Sequence, residues 1–168
     1  GDQRLLKRIN RMALVRLVRN QPGLSRAELA VETGLTKSTV SLLVQELIEE
    51  GWLREDEVLI TGAIGRRPTP LRLDDRQLAL IGAELGVGAL WIVATSLSGE
   101  LIDRKELAFA VGTPVGGVLD LLGKGIIEIV ARVGATGREI LGVGIGVPGA
   151  VQENSGVLRV APNLGWHD

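Results

Sequence analysis

The chain has 168 residues, of which 45% are apolar, and this composition predicts a folded protein. Nineteen Lys and Arg against 20 Asp and Glu leave a net charge of -1, so the overall charge does not favour a nucleic-acid partner. With no cysteine and one histidine, the composition excludes a disulfide framework, a thiolate zinc site and a cysteine nucleophile. Because no apolar run is long enough for a membrane span and the first residues are basic, we expect a cytoplasmic protein without a signal peptide.

The composition changes along the chain. Residues 1–80 hold six of the 23 glycines and residues 81–168 hold the other 17. Residues 1–26 carry seven basic side chains and a single acid, Asp2, which is a local positive charge that the overall figure hides. We therefore predict two domains, residues 1–75 and residues 76–168, with a basic stretch that suits DNA or is simply a solvated helix face.

The first domain begins with helical patterns. Apolar residues recur at helical spacing over Leu5–Val18 and predict a first helix. Ser25 and Glu28 have the spacing of a capping box, which begins a second, short helix. Gly34 permits a tight turn, and Thr36 then caps a third, amphipathic helix.

Two short helices joined by a tight turn predict a helix-turn-helix. Small Ala30, Gly34 and apolar Val40 have the spacing that lets the two helices approach, turn and pack. Two short strand patterns follow, over Trp52–Glu55 and Thr69–Leu73, and we interpret them as a wing with its loop between them. A generic helical hairpin and a winged helix that binds protein are the alternatives.

The polar face of the third helix is the predicted DNA-contacting surface. Ser and Thr can bind phosphates or bases, Gln can bind adenine, and Lys can bind guanine or phosphate. The start of the second helix offers backbone N–H groups and a cation to the DNA backbone. An Arg pair in the wing loop can insert into a narrow minor groove, and a plain linker with solvated arginines is the alternative. The predicted DNA-binding residues are Ser25, Arg26, Lys37, Ser38, Thr39, Ser41, Gln45, Arg66 and Arg67.

The second domain has a β-β-β-α-β pattern. The predicted elements are strands over Leu78–Leu85, Ala89–Leu97 and Leu101–Ala110, a helix over Pro114–Val133, and a buried strand over Ile140–Val147. We expect the apolar surface of the last strand to need a partner.

Three glycine-containing segments carry a family resemblance. They are Glu84–Gly88 (ELGVG) between two strands, Gly142–Gly149 (GVGIGVPG) at the end of a strand, and Ala161–Trp166 (APNLGW). Following a winged helix at these distances, they resemble the ROK family of repressors, open reading frames and kinases, and within it the xylose- and N-acetylglucosamine-type repressors. The sequence begins at Gly1 rather than Met, and we expect it to be the amino-terminal portion of a longer protein.

The resemblance implies a fold and a function. The implied fold is α+β or α/β, a winged helix-turn-helix followed by a partial actin-like ATPase (ribonuclease H-like) lobe. The implied function is a repressor of sugar-utilisation genes that binds operator DNA and a sugar or sugar-derivative effector as a homodimer or higher homo-oligomer, away from the membrane. Gly149, Ala150 and Asn163 match positions that line the sugar pocket of the family. Asn163 is the strongest candidate, because an amide can both donate to and accept from hydroxyls, and an Asn that closes a turn is the alternative.

Departures from the family pattern bear on catalysis. The kinases of the family use Asp-x-Gly-Gly-Thr for ATP phosphates, whereas here Glu84 replaces the Asp, Val87 replaces the second Gly, and Ala89 follows where a hydroxyl or Lys is expected. A Val side chain hinders close approach of a phosphate. The resemblance places the catalytic Asp and the zinc site of the family beyond Asp168, so we expect no enzyme activity and no cofactor in this chain. A sugar kinase with a DNA-binding head is the alternative.

Overall fold

The chain is described by a computed structural model that covers residues 2–57, 69–155, 157–161 and 164. It divides into two compact units, Gly1–Leu78 and Ala79–Asp168. The domain boundary predicted from composition falls between residues 75 and 76, close to this division. No helix in the described part of the chain is both long and apolar enough to cross a membrane.

The first unit is a winged helix-turn-helix. Its elements are α1 (Asp2–Asn20), α2 (Arg26–Thr33), α3 (Lys37–Glu49), β1 (Leu53–Glu55) and β2 (Leu71–Leu73). The two strands pair antiparallel with Leu53 opposite Leu73, and they form the predicted wing in shortened form. Most of the wing loop, residues 58–68, lies outside the described residues.

Local hydrogen bonds confirm the predicted starts of α2 and α3. The side chain of Ser25 accepts from the backbone N–H of Glu28 (3.3 Å), and the Glu28 carboxylate accepts in return from the backbone N–H of Ser25 (2.8 Å), which completes the capping box. Gly34 ends α2 at φ +69°, a left-handed conformation that glycine adopts without strain. The Thr36 hydroxyl accepts from the N–H of Thr39 (3.2 Å) at the start of α3.

One apolar core holds the three helices and the wing together. The core residues of this unit, all at most 8% exposed, are Leu14, Val18, Leu29, Ala30, Val40, Leu43, Val44, Leu47, Leu53, Leu71 and Leu73. The N–H of Gly23 donates to the carbonyl of Leu71 (2.9 Å), and the N–H of Leu71 donates to the carbonyl of Leu24 (3.0 Å). The wing is therefore tied to the connection between α1 and α2 as well as to the core.

The second unit is a four-stranded sheet with one long helix. Its elements are β3 (Leu78–Leu85), β4 (Ala89–Thr95), β5 (Leu101–Ala108), α4 (Val115–Gly134), β6 (Glu139–Gly146), β7 (Ala150–Val151) and β8 (Leu158–Val160). The strand order is β5-β4-β3-β6, and β7 pairs with β8 in a separate ribbon. The predicted β-β-β-α-β order is confirmed. The ribbon was not predicted, because strands of two and three residues carry almost no periodicity.

The helix α4 covers one face of the sheet. Its residues Val118, Leu122, Ile129 and Val133 are at most 4% exposed and belong to one apolar cluster with the inward side chains of β3 and β4. Two ion pairs also join β5 to α4. Lys105 pairs with Glu128, and the Asp103 carboxylate accepts a hydrogen bond from Arg132 (2.7 Å). The opposite face of the sheet is more open, and Trp91 there is 41% exposed.

The prediction that the last strand is buried was wrong. In the described chain β6 lies at one edge of the sheet, and Val143 and Ile145 are 45% and 51% exposed. Glycines alternate with them at 142, 144 and 146, so alternate positions of the strand have no side chain to pack. The exposure of Val143 and Ile145 nevertheless agrees with the expectation that the apolar surface of this strand needs a partner.

We predict that enlarging Gly125 destabilises the second unit. A Cβ atom at Gly125 would lie 2.5 Å from Cδ1 of Ile92 and 2.8 Å from Cδ1 of Leu107, because α4 lies close to the sheet there. Gly125→Val should therefore lower the free energy of unfolding by about 1–3 kcal/mol through overpacking. The measurement is denaturant unfolding followed by circular dichroism.

The matched control is Gly123→Val, two residues away in the same helix. Nothing lies within 4 Å of the corresponding Cβ position. This variant should keep the wild-type unfolding midpoint, and equal losses in the two variants would show that the close approach at Gly125 is unimportant.

Candidate nucleic-acid interface

The outward face of α3 carries most of the predicted DNA-contacting residues. Val40, Leu43, Val44 and Leu47 point into the core. On the remaining surface Lys37, Ser38 and Gln45 are exposed, and Thr39 and Ser41 are half-buried. The structure therefore brings these five residues together on one helix whose other side is fixed by packing.

Three hydroxyl groups cluster at the start of α3. The Thr36 hydroxyl lies 3.0 Å from the Ser38 hydroxyl and 2.8 Å from the Thr39 hydroxyl. Beside them Lys37 is exposed and has no ion-pair partner among the described residues. The first turn thus combines hydroxyls, backbone N–H groups and a free cation, which are the groups that bind phosphates and base edges.

The structure assigns Ser25 to the cap of α2. Its side chain is buried, and its N–H and hydroxyl both donate to the Glu28 carboxylate (2.8 and 2.7 Å). These bonds lower the pKa of Glu28, the side-chain bond from Ser25 having the largest effect. Any DNA contact at this end of α2 thus falls to the backbone N–H groups of the first turn, and the predicted role of Ser25 stays a prediction.

Arg26 and Gln45 are joined in one polar network. The Arg26 guanidinium forms an ion pair with Glu55 of β1 (2.9 Å) and reaches the amide oxygen of Gln45 at 3.5 Å. The amide nitrogen of Gln45 donates to Glu49 (3.0 Å). Both ends of the Gln45 amide are therefore engaged, so its side chain has a preferred position, and a base would have to compete with Glu49 for the amide N–H.

Part of the basic stretch in residues 1–26 is neutralised. Lys7 donates to Glu46 (2.8 Å), and Arg11 donates to Glu50 (2.8 Å) while also lying near Glu46. Together with Arg26, three of the seven basic residues of this stretch are paired with acids of α3 and β1. The local positive charge of residues 1–26 is therefore partly balanced by acids that lie far away in sequence.

The other predicted site residues lie elsewhere. Arg66, Arg67 and Asn163 fall outside the described residues. Gly149 and Ala150 are exposed in the second unit, where Ala150 begins β7. The sequence analysis assigned no role to Leu42, which is 60% exposed on α3.

The hairpin between β3 and β4 contains Val87 and is flanked by Glu84 and Ala89, the three positions at which the sequence departs from the kinase pattern. The N–H of Gly86 donates to the carbonyl of Ala89 (2.9 Å) and closes the turn, and Val87 at its tip is 55% exposed. An open groove of about 470 Å³ adjoins this hairpin and includes Glu84, Trp91 and Pro148 in its lining. The groove has an apolar wall and one carboxylate, and neither is a phosphate-binding group.

Comparisons with known proteins agree with this description. The IclR helix-turn-helix domain family matches residues 12–57. A putative xylose repressor of Caldicellulosiruptor sp. (strain Rt8B.4) is 36% identical over 168 residues, which are 100% of this chain and 42% of that protein. A xylose repressor of Caldicellulosiruptor bescii is 34% identical over the same shares of the two chains. The chain thus spans less than half the length of these relatives.

A solved structure shows the same fold. The crystal structure of a ROK family transcriptional regulator, described as a homolog of the E. coli MLC protein, matches with a TM-score of 0.74 and 23% identity. The match covers 94% of this chain and 40% of that one. The predicted fold class, a winged helix-turn-helix followed by a partial actin-like lobe, is confirmed.

We predict that the ion pair between Arg11 and Glu50 stabilises the first unit in a pH-dependent way. The Arg11 hydrogen bond holds the pKa of Glu50 below its ordinary value of 4.5, so this stabilisation is complete above that pH and is lost as the pH falls through the lowered value. Arg11→Met should lower the free energy of unfolding at pH 7 by up to about 1 kcal/mol, since the pair is partly exposed. The difference from wild type should shrink at pH 3.

The matched control is Arg8→Met on the same helix. Arg8 is exposed and has no ion-pair partner among residues 2–57. Unfolding of both variants is followed in urea at the two pH values. An equal effect of the two substitutions, or one that does not change with pH, would contradict the role of the pair.

Proposed function

We propose that this chain belongs to a ROK-type repressor, binds operator DNA through α3 and represses sugar-utilisation genes. Its similarity to xylose repressors and to the fold of a ROK family regulator supports the proposal. The observation that carries the proposal is the outward face of α3, where Lys37 and the hydroxyls of Ser38, Thr39 and Ser41 stand on a helix packed into a helix-turn-helix core. These groups match the phosphate oxygens and base edges of a major groove.

The proposed DNA complex uses two copies of the chain. Each copy places the start of α3 in a major groove, and the two half-sites lie about one helical turn, ~34 Å, apart. Lys37 and the N-terminal turn of α3 contact the backbone and base edges, and Gln45 contacts an adjacent base once DNA replaces its bond to Glu49. Arg66 and Arg67 in the wing loop are proposed to enter the neighbouring minor groove.

We propose that a sugar controls this binding. The similar proteins of Caldicellulosiruptor bear the name xylose repressor, and this supports a sugar as the effector class. The proposed sugar-binding residues are Gly149, Ala150 and Asn163 of the second unit. An effector alters DNA affinity only through a difference in its affinity for two states of the protein, so the proposed sugar must bind the DNA-binding state and the non-binding state with different affinities.

Phosphotransferase activity is not part of the proposal. Val87 occupies the tip of the hairpin, and Glu84 provides a negative charge beside the groove where a nucleotide phosphate would need donors. The relatives at 36% and 34% identity are named as repressors, and this favours a repressor function over a kinase activity for this chain. The sugar-kinase alternative finds no support in the hairpin.

We predict sequence-selective DNA binding that weakens with salt. Titration of DNA from upstream of the gene and from a scrambled control, followed by fluorescence anisotropy at several salt concentrations, should show tighter binding to the former. Lys37→Ala should weaken binding and reduce the slope of log affinity against log salt by about 1.8 for the two-copy complex, because each copy loses one phosphate contact, which contributes roughly 0.9. Ser41→Ala should reduce the preference for the upstream sequence.

The control for the DNA experiment is Lys124→Ala, which removes an exposed lysine from α4 in the second unit. This variant should bind like wild type. Equal affinity of the wild-type protein for upstream and scrambled DNA would contradict the repressor proposal. A wild-type salt dependence in Lys37→Ala would remove Lys37 from the interface.

We also predict that one sugar changes the DNA affinity. Repeating the titration with xylose, N-acetylglucosamine and other common sugars should reveal at least a fivefold change with one of them, which is a coupling of about 1 kcal/mol. Asn163→Ala should bind DNA like wild type and lose this response. No response to any sugar would contradict the effector proposal and leave the DNA-binding proposal intact.

A further inference from the structure

An exposed leucine interrupts the polar face of α3. Leu42 is 60% exposed, whereas its neighbours Leu43 and Val44 are 4% and 0% exposed. Among the described residues, no other large apolar side chain of α3 is exposed to a comparable degree. Isolated exposed leucines are common on protein surfaces, so exposure alone assigns no role, and its position on the helix must decide.

Helix geometry places Leu42 in the middle of the proposed DNA-contacting face. With 3.6 residues per turn, residues three and four apart lie on the same side of a helix. Leu42 therefore lies between Ser38, four residues before it, and Gln45, three residues after it. The buried positions Val40, Leu43, Val44 and Leu47 are on the opposite side. Any groove that accepts Ser38 and Gln45 must also accept Leu42.

The chemistry of the major groove offers Leu42 one suitable partner. Base edges there present hydrogen-bond donors and acceptors, and the only apolar group is the 5-methyl of thymine. A leucine facing a cytosine instead would cover the N4 donor of that base without replacing its hydrogen bond to water. An apolar side chain at this position therefore discriminates between bases although it forms no hydrogen bond.

We propose that Leu42 determines operator specificity by packing against the 5-methyl group of a thymine. This inference rests on the proposed function, since it requires α3 to lie in the major groove. It adds a contact that differs in kind from those of Lys37 and Ser38, because the affinity it contributes comes from burying apolar surface and does not involve counterion release.

The test removes the methyl group from the DNA and the leucine from the protein. High-affinity duplexes are first selected from a random library with the wild-type chain. Each thymine is then replaced in turn by deoxyuridine, which lacks only the 5-methyl group. At one or two positions wild type should lose affinity about fourfold, the ratio that corresponds to ~0.8 kcal/mol for a buried methyl at 1.4 kcal/mol per tenfold. Leu42→Ala should lose this sensitivity.

Two further variants make the result specific. Leu42→Met keeps an apolar side chain and should retain sensitivity to deoxyuridine. Leu119→Ala removes a leucine that is 51% exposed on α4 in the second unit, and it should behave as wild type throughout. Circular dichroism and sedimentation of each variant establish that fold and oligomeric state are unchanged.

The outcomes separate this inference from the proposed function. If wild type selects no sequence, the proposed function fails and the Leu42 inference fails with it. If wild type binds selectively but no deoxyuridine weakens it, or if Leu42→Ala keeps the sensitivity, only the role of Leu42 is overturned. A change in oligomeric state in Leu42→Ala with unchanged sensitivity would instead place Leu42 at a protein contact and also overturn the inference.

Discussion

The DNA-binding proposal depends on the burial of one side of α3. Val40, Val44 and Leu47 are 0% exposed within the core. Their packing fixes the orientation of α3 about its own axis. The outward-facing residues of α3 are those that do not pack into the core. A polar residue at Val44 would therefore disturb the interface without ever touching DNA, since an apolar core position would lose its packing and the helix would shift.

Charge pairing modifies what this packed frame presents. Acids on α3 and β1 pair with Lys7, Arg11 and Arg26, so these cations hold elements in place instead of contributing fully to the field around the molecule. The Arg26 network also restrains Gln45 before any ligand arrives. A restrained side chain loses less entropy on binding, but the competing bond to Glu49 must first be exchanged for one to a base. Prior restraint of Gln45 thus favours the proposed base contact, whereas the exchange with Glu49 opposes it.

The second unit follows a different constraint, the close approach of a helix to a sheet. Gly125 has no side chain, and α4 therefore lies close to Ile92 and Leu107 at this point. The apolar cluster of the second unit surrounds this contact. The opposite face of the same sheet and the edge strand β6 leave Trp91, Val143 and Ile145 exposed. Exposed apolar side chains on such a face are typical of a surface that packs against another layer.

The sequence by itself determined the elements and their order, because these depend on local signals. Ser25 with Glu28, Gly34 and Thr36 act within a few residues, and the apolar periods of α3 and β3 specify which side is buried. Tertiary structure alone decided which charged and apolar groups remain available. Lys7 and Glu46 are 39 positions apart, and so no local pattern shows that they pair. Likewise, the exposure of β6 depends on which neighbours the fold supplies, since an apolar strand has the same local pattern whether or not something covers it.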